Sequence, residues 1–196
     1  QMHGVLVLAG PNSRKVLEKL TRTSLKNADF GWLSGKEISV GTATAHALRV
    51  NFVGELGWEL HHPMEQQNQI WDMVMEAGAE FGIKPFGIRA MTAMAIEKSY
   101  RLIPRELSIE YSAYESGLDR FIKPAKDFVG KEALMARHEA GDEWKFVTLE
   151  VHDVEDNDAR GSEAIYKDGT LIGRATHGTF GYRTGKSIAL AMVKPG

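Results

Sequence analysis

Apolar and polar positions alternate with a period of two over residues 37–43 and 45–52, and that rhythm predicts two strands. In the second, Leu48, Val50 and Phe52 share one face and Arg49 and Asn51 the other. Gly54-Glu55-Leu56-Gly57 supplies a turn, after which Trp58 and Leu60 alternate with Glu59 and His61 as the return arm of a hairpin. Ahead of these, the apolar run at residues 5–9, closed by Gly10 and followed by Pro-Asn-Ser, predicts a buried strand. It feeds a helix over 14–20 with Asn12 or Ser13 as its cap. The period changes at Met64: Ile70, Met73, Val74, Ala77 and Phe81 recur at helical spacing, with Gly82 placed to cap the C-terminus.

A second helix is predicted over 88–100, between Pro85-Phe86-Gly87 and Pro104. Residues 101–129 hold no period and contain two prolines, so they read as an ordered crossing loop with short strands. A short helix follows Gly130 over 131–138. Beyond Gly141 the pattern turns to strands at 145–151, 163–166, 170–175 and 187–193, with Lys167-Asp168-Gly169 as a hairpin turn. The chain thus reads as α+β, with one domain at 1–140 and a second, antiparallel β domain at 141–196.

With 196 residues, 43% of them hydrophobic, there is enough apolar material for a sizeable core. A net charge of -2 argues against nucleic acid or an acidic membrane surface as partner and favours a small neutral or zwitterionic ligand. The absence of cysteine excludes disulfides, thiolate metal sites and cysteine nucleophiles. No apolar run reaches the roughly 20 residues a membrane helix needs, and the N-terminus lacks signal-peptide features, so a soluble intracellular protein is expected.

Gly181-Tyr182-Arg183-Thr184-Gly185-Lys186-Ser187 nearly spells a phosphate-binding loop, but it has three residues between its glycines where four are needed, and a strand follows in place of a helix. A structural turn is the reading. His61 and His62 are neighbours on a strand and point to opposite faces, so they do not share a metal, and surface roles are expected for both. No metal site is expected. Glu97 is a charge closing an otherwise apolar helix, and Glu59 is a lone carboxylate on a strand; either pattern also suits an ordinary structural or solvated group.

Five segments, in order, carry a family resemblance. Arg49-Val50-Asn51-Phe52-Val53-Gly54-Glu55-Leu56-Gly57-Trp58-Glu59-Leu60 resembles the Tyr-x-Gly-Glu-x-Gly-x-Glu signature of the glycine-cleavage T-protein (aminomethyltransferase) superfamily, in the form found in dimethylglycine and sarcosine dehydrogenases. The helix from Gly87 to Lys98, the segments Tyr114-Glu115-Ser116-Gly117-Leu118 and Asp127-Phe128-Val129-Gly130-Lys131-Glu132-Ala133-Leu134, and the strand Gly185-Lys186-Ser187-Ile188-Ala189-Leu190-Ala191 are similar to further family segments.

The resemblance implies a T-protein-like folate-binding domain followed by a small, incomplete antiparallel β-barrel. It further implies transfer of a one-carbon unit from a methylamine-type donor to tetrahydrofolate. Glu59 and Glu97 then match the carboxylates that hold the pterin, pairing two acceptor oxygens with its amino and ring N–H donors. They would share a cavity, and a carboxylate reserved for a ligand has no necessary partner in the empty protein. Phe52 replaces the signature tyrosine, keeping ring packing and losing a hydroxyl.

If the parent is a dehydrogenase, FAD belongs to an upstream domain, and the location is cytoplasm or mitochondrial matrix. The family's transfer-active Asp falls upstream of the segment aligned with Gly4 and its barrel runs on past Gly196. The chain is therefore expected to be a fragment, inactive alone. Alternatives within the superfamily are a folate-dependent demethylase and a non-catalytic folate-binding module. The iron–sulfur maintenance member, marked by Lys-Gly-Cys-Tyr-x-Gly-Gln-Glu, is disfavoured because Asp127 stands where its Cys should be.

Overall fold

A computed structural model describes residues 2–155 and 157–196, and the chain forms two compact units, one ending at Met91 and the other beginning at Thr92. In the first, β1 (His3–Ala9), β2 (Gly35–Val40), β3 (Ala43–Leu48) and β4 (Gly57–Pro63) make an antiparallel sheet of order β1-β4-β3-β2. Helices α1 (Ser13–Glu18) and α2 (Gln67–Gly78) cover one face. Alternation puts Leu8, Ile38, Val40, Ala45, Trp58 and Leu60 on that face, where they pack with Leu17, Phe30 and Ile70. Trp58 anchors the core: it is fully buried and meets Phe30 edge to face at 6.2 Å between ring centres.

Several local expectations change. The predicted strand 37–43 breaks into a two-residue turn, because Gly41 takes φ 58° and Val40 already pairs with Ala43. Its partner stops at Leu48, not at residue 52, because the Asn51 side chain accepts the Val53 and Glu55 N–H groups and replaces the ladder. Neither Asn12 nor Ser13 caps α1 through its side chain; the Ser13 hydroxyl donates to the Leu56 carbonyl at 2.9 Å instead. The second histidine also departs from expectation. His62 is fully buried, with Nδ1 3.1 Å from the Pro63 carbonyl oxygen, because it lies over Gly4, where a Cβ would come within 2.6 Å of its ring.

Helix α2 tightens into a 3₁₀ turn at Ala79–Phe81, which Gly82 closes in the left-handed conformation at φ 68°, the residue the sequence predicts as the cap. Helix α3 (Ile88–Glu97) ends earlier than residue 100, since Ser99 adopts φ 55°, outside helical space.

In the second unit, α4 (Lys131–Glu139) starts after a left-handed Gly130. Strands β5 (Lys145–Val151), β6 (Ala164–Lys167), β7 (Thr170–Gly181) and β8 (Lys186–Val193) form an antiparallel sheet of order β5-β8-β7-β6 that is not closed into a barrel. Positive φ at both Asp168 and Gly169 makes the tight turn between β6 and β7. Ile96, Ile188 and Leu190 form a small core that Phe146 joins.

Strand β7 runs past its predicted end at 175 because a register shift between Ala175 and His177 absorbs Thr176 and lets pairing resume. The Thr176 hydroxyl donates to the fully buried Glu106 carboxylate, whose other oxygen accepts the Leu102 N–H at 2.8 Å. Residues 101–129 contain no strand among the described residues, only turns and a single helical turn, Asp119–Phe121. Buried side chains satisfy their backbone where a ladder was expected.

The chief of these is Glu115, whose side chain is 0% exposed. It exchanges hydrogen bonds with Ser112 in a reciprocal capping box: its Oε2 accepts the Ser112 N–H at 2.6 Å and its own N–H donates to the Ser112 hydroxyl at 3.1 Å. Arg137 of α4 donates to Oε2 at 2.7 Å, and the Glu143 and Trp144 N–H groups donate to Oε1. Burial pushes this carboxyl up, but the Ser112, Glu143 and Arg137 donors together outweigh it and hold the group below its usual value.

Candidate functional site

The segment 49–63 is built to present one face of β4. Gly54 turns with φ 69°, and the Leu56 carbonyl accepts from both the Gly10 N–H and the Ser13 hydroxyl, tying the loop to the start of α1. Gly57 pairs with Ala9 so closely that a Cβ there would lie 2.5 Å from the Leu8 carbonyl oxygen. Because that obstacle is backbone, Gly57→Ala is expected to cost at least about 1–3 kcal/mol. A shift of the thermal or urea midpoint checks this; an unshifted midpoint would show that β1 and β4 separate freely.

Trp58, Leu60 and His62 take the buried face of β4, so Glu59 and His61 take the open one. Cross-strand pairing arranges that face in two rows. In one, Val7, Glu59, Leu48 and Gly35 follow each other across β1, β4, β3 and β2; in the next, Val5, His61, His46 and Glu37 do the same. Val5 and Val7 are exposed, and Leu48 leans over Gly35, where a Cβ would meet it at 2.7 Å. Glu59, 30% exposed, therefore sits between two aliphatic side chains, with His61 Nε2 3.1 Å from its Oε2. His46 Nε2 lies 3.7 Å from Glu37 at the far end of the second row.

Phe52 is 37% exposed in the loop that precedes β4. A cavity of about 310 Å³ lies on the other face of this sheet, lined by Leu6, Leu8, Leu60, Trp71, Val74 and Phe86 among others. Its lining includes neither Glu59 nor Glu97.

Glu97 belongs to the second unit. Its Oε1 accepts the backbone N–H groups of Arg183 at 2.8 Å and Thr184 at 2.9 Å, at the tip of the β7–β8 hairpin. This corrects the expectation that Glu97 has no partner in the empty protein. Residues 182–185 form the turn between β7 and β8, and the anion its N–H groups hold is the chain's own carboxylate. Gly181 makes room for it, since a Cβ there would fall 2.8 Å from Glu97 Oε1.

Sequence reasoning did not single out His61 as the neighbour of Glu59, although two residues of the same strand face were enough to find it. It also passed over Glu115, whose Ser-x-x-Glu spacing was a readable signal. Among the described residues, no group of three or more His, Cys, Asp or Glu side chains could hold a metal ion. None of the described helices is long and apolar enough to cross a membrane.

Comparison with known proteins matches residues 1–126 to the GCVT N-terminal domain and residues 145–196 to the glycine cleavage T-protein C-terminal barrel domain. The chain belongs to the glycine-cleavage T-protein family. Within the family, human mitochondrial dimethylglycine dehydrogenase is 39% identical over 192 residues, covering 97% of this chain and 22% of that protein. An aminomethyltransferase of Desulfitobacterium hafniense is 34% identical, covering 97% of this chain and 51% of that protein. Mouse mitochondrial sarcosine dehydrogenase is 33% identical, covering 97% of this chain and 21% of that protein. The chain therefore spans between about a fifth and a half of the length of these T-protein relatives. The fold also matches the glycine cleavage system aminomethyltransferase T of Bartonella henselae, with a TM-score of 0.80, 18% identity, and coverage of 98% of this chain and 52% of that one.

Proposed function

We propose that this chain is the tetrahydrofolate-binding part of a one-carbon transfer enzyme, of the aminomethyltransferase or dimethylglycine and sarcosine dehydrogenase type. The observation that carries the reading is Glu59: a half-buried carboxylate between Val7 and Leu48 on an open sheet face. Two aliphatic neighbours offer a floor for a flat heterocycle. The carboxylate offers two acceptors to its paired amino and ring N–H donors, in charge-assisted bonds that fix the ring's orientation. Phe52, partly exposed in the loop before β4, is taken in this reading as an apolar ring that packs on the ligand. Glu97, on the second unit, is a separate candidate ligand group, with Oε2 as the oxygen a ligand would meet because Oε1 is committed to the hairpin.

Tetrahydrofolate supplies the nitrogen that receives the carbon; the residues here bind and orient it. The relatives' names support a methylamine-type donor and mitochondrial residence; FAD in another part of a longer polypeptide is what the family resemblance implies for a dehydrogenase.

Calorimetric titration of the chain with tetrahydrofolate tests the reading. Glu59→Gln turns one acceptor into a donor facing the ligand's donors, and affinity is expected to fall about ten- to hundredfold with the melting temperature unchanged. Equal affinity in the variant would remove Glu59 from the site.

A further inference from the structure

We propose that His61 is a positioning residue for Glu59, fixing the carboxylate as an acceptor and so selecting ligands that present paired donors. The proposal rests on the folate reading above and deepens it. Glu59 and His61 are two residues apart on one strand and share its open face, and the imidazole Nε2 stands 3.1 Å from Glu59 Oε2. Neither is free to swing away unopposed. Glu59 is flanked by Val7 and Leu48, and His61 by Val5 and His46, with cross-strand neighbours only about 5 Å off in such sheets.

An Nε2–H that donates to Oε2 has two consequences. It holds the carboxylate in one orientation, which removes rotamer freedom that ligand binding would otherwise have to quench. It also aims the carboxylate's remaining lone pairs at an amino and ring N–H edge, which needs acceptors. The same heterocycle presented through an acceptor edge would face like against like and be rejected. The row behind His61 suits this role: His46 lies beside it, and Glu37 lies beyond within 3.7 Å of His46.

The test pairs a ligand-free measurement with a binding one on the whole chain. Imidazole nitrogen chemical shifts are expected to show His61 protonated at Nε2 in the wild type, and a mixed tautomer in Glu59→Ala. With 5-formyltetrahydrofolate as the probe, His61→Phe is expected to weaken binding about tenfold, and His61→Gln, which returns a donor near the Nε2 position, to recover most of the loss. Melting temperatures of both His61 variants should match the wild type, since the ring is one-third exposed. A His61 tautomer indifferent to Glu59→Ala, or His61→Phe binding like wild type, overturns the proposal. Wild-type chain that binds no folate, with the tautomer nevertheless locked, overturns the folate reading and this role with it; the locked tautomer tells that failure apart from failure of the pair.

Discussion

Glu115→Ala is expected to lower the melting temperature of the chain by about 12–20 °C. The carboxylate is fully buried and gathers the Ser112, Glu143 and Trp144 N–H groups and the Arg137 guanidinium. Removing it orphans these donors at once, and breaking a buried, hydrogen-bonded ion pair typically costs about 3–5 kcal/mol. For a unit of roughly 100 residues, each kcal/mol shifts the midpoint by at least about 4 °C. Glu115→Gln should lie between, because the amide keeps one acceptor and loses the charge.

The same residue gives an acid limb to stability. Its folded-state carboxyl lies below the ordinary value, so its contribution is fully present above the unfolded-state value of 4.5 and disappears as pH falls through the lower, folded one. Melting curves between pH 7 and pH 3 should therefore fall more steeply for the wild type than for Glu115→Ala below about pH 4.5. Parallel pH profiles, or a variant melting within a few degrees of wild type, would show that water replaces the carboxylate.

The second large effect concerns Glu97. Glu97→Ala removes the acceptor for two backbone N–H groups at the hairpin tip, at a cost of about 2 kcal/mol given its partial exposure, or a fall of about 8 °C or more. Folate affinity measured beside melting separates its two possible contributions. A stability loss with folate affinity intact restricts Glu97 to holding the hairpin; loss of both keeps Oε2 in the ligand's shell. An unchanged melting temperature would contradict the hydrogen bonds themselves.

Much of this was legible in the chain. Periodicity placed α2, with Gly82 closing the 3₁₀ turn after it, and the strands of the second unit. Lys167-Asp168-Gly169 announced a turn needing two positive φ angles. Where reading failed, the deciding interaction was distant in sequence or belonged to a side chain. His62 is inside because Gly4, 58 positions earlier, leaves room for its ring. The strand at 45–52 stops short because Asn51 bonds its own loop, and 101–129 holds no strand because Glu106 and Glu115 satisfy backbone that a ladder would otherwise have to. The two candidate carboxylates followed the same division. Glu59 and its open face follow from alternation, whereas the two N–H partners of Glu97 lie 86 and 87 residues away and no local pattern points to them.

The hairpin between β7 and β8 has its anion built in. A free phosphate entering this turn would have to displace a carboxylate tethered to the same chain, whose effective concentration is on the order of millimolar or higher. The tip is thereby self-neutralised against ordinary cellular anions, and a sequence that nearly spells a phosphate-binding loop here encodes a staple between the end of α3 and the sheet.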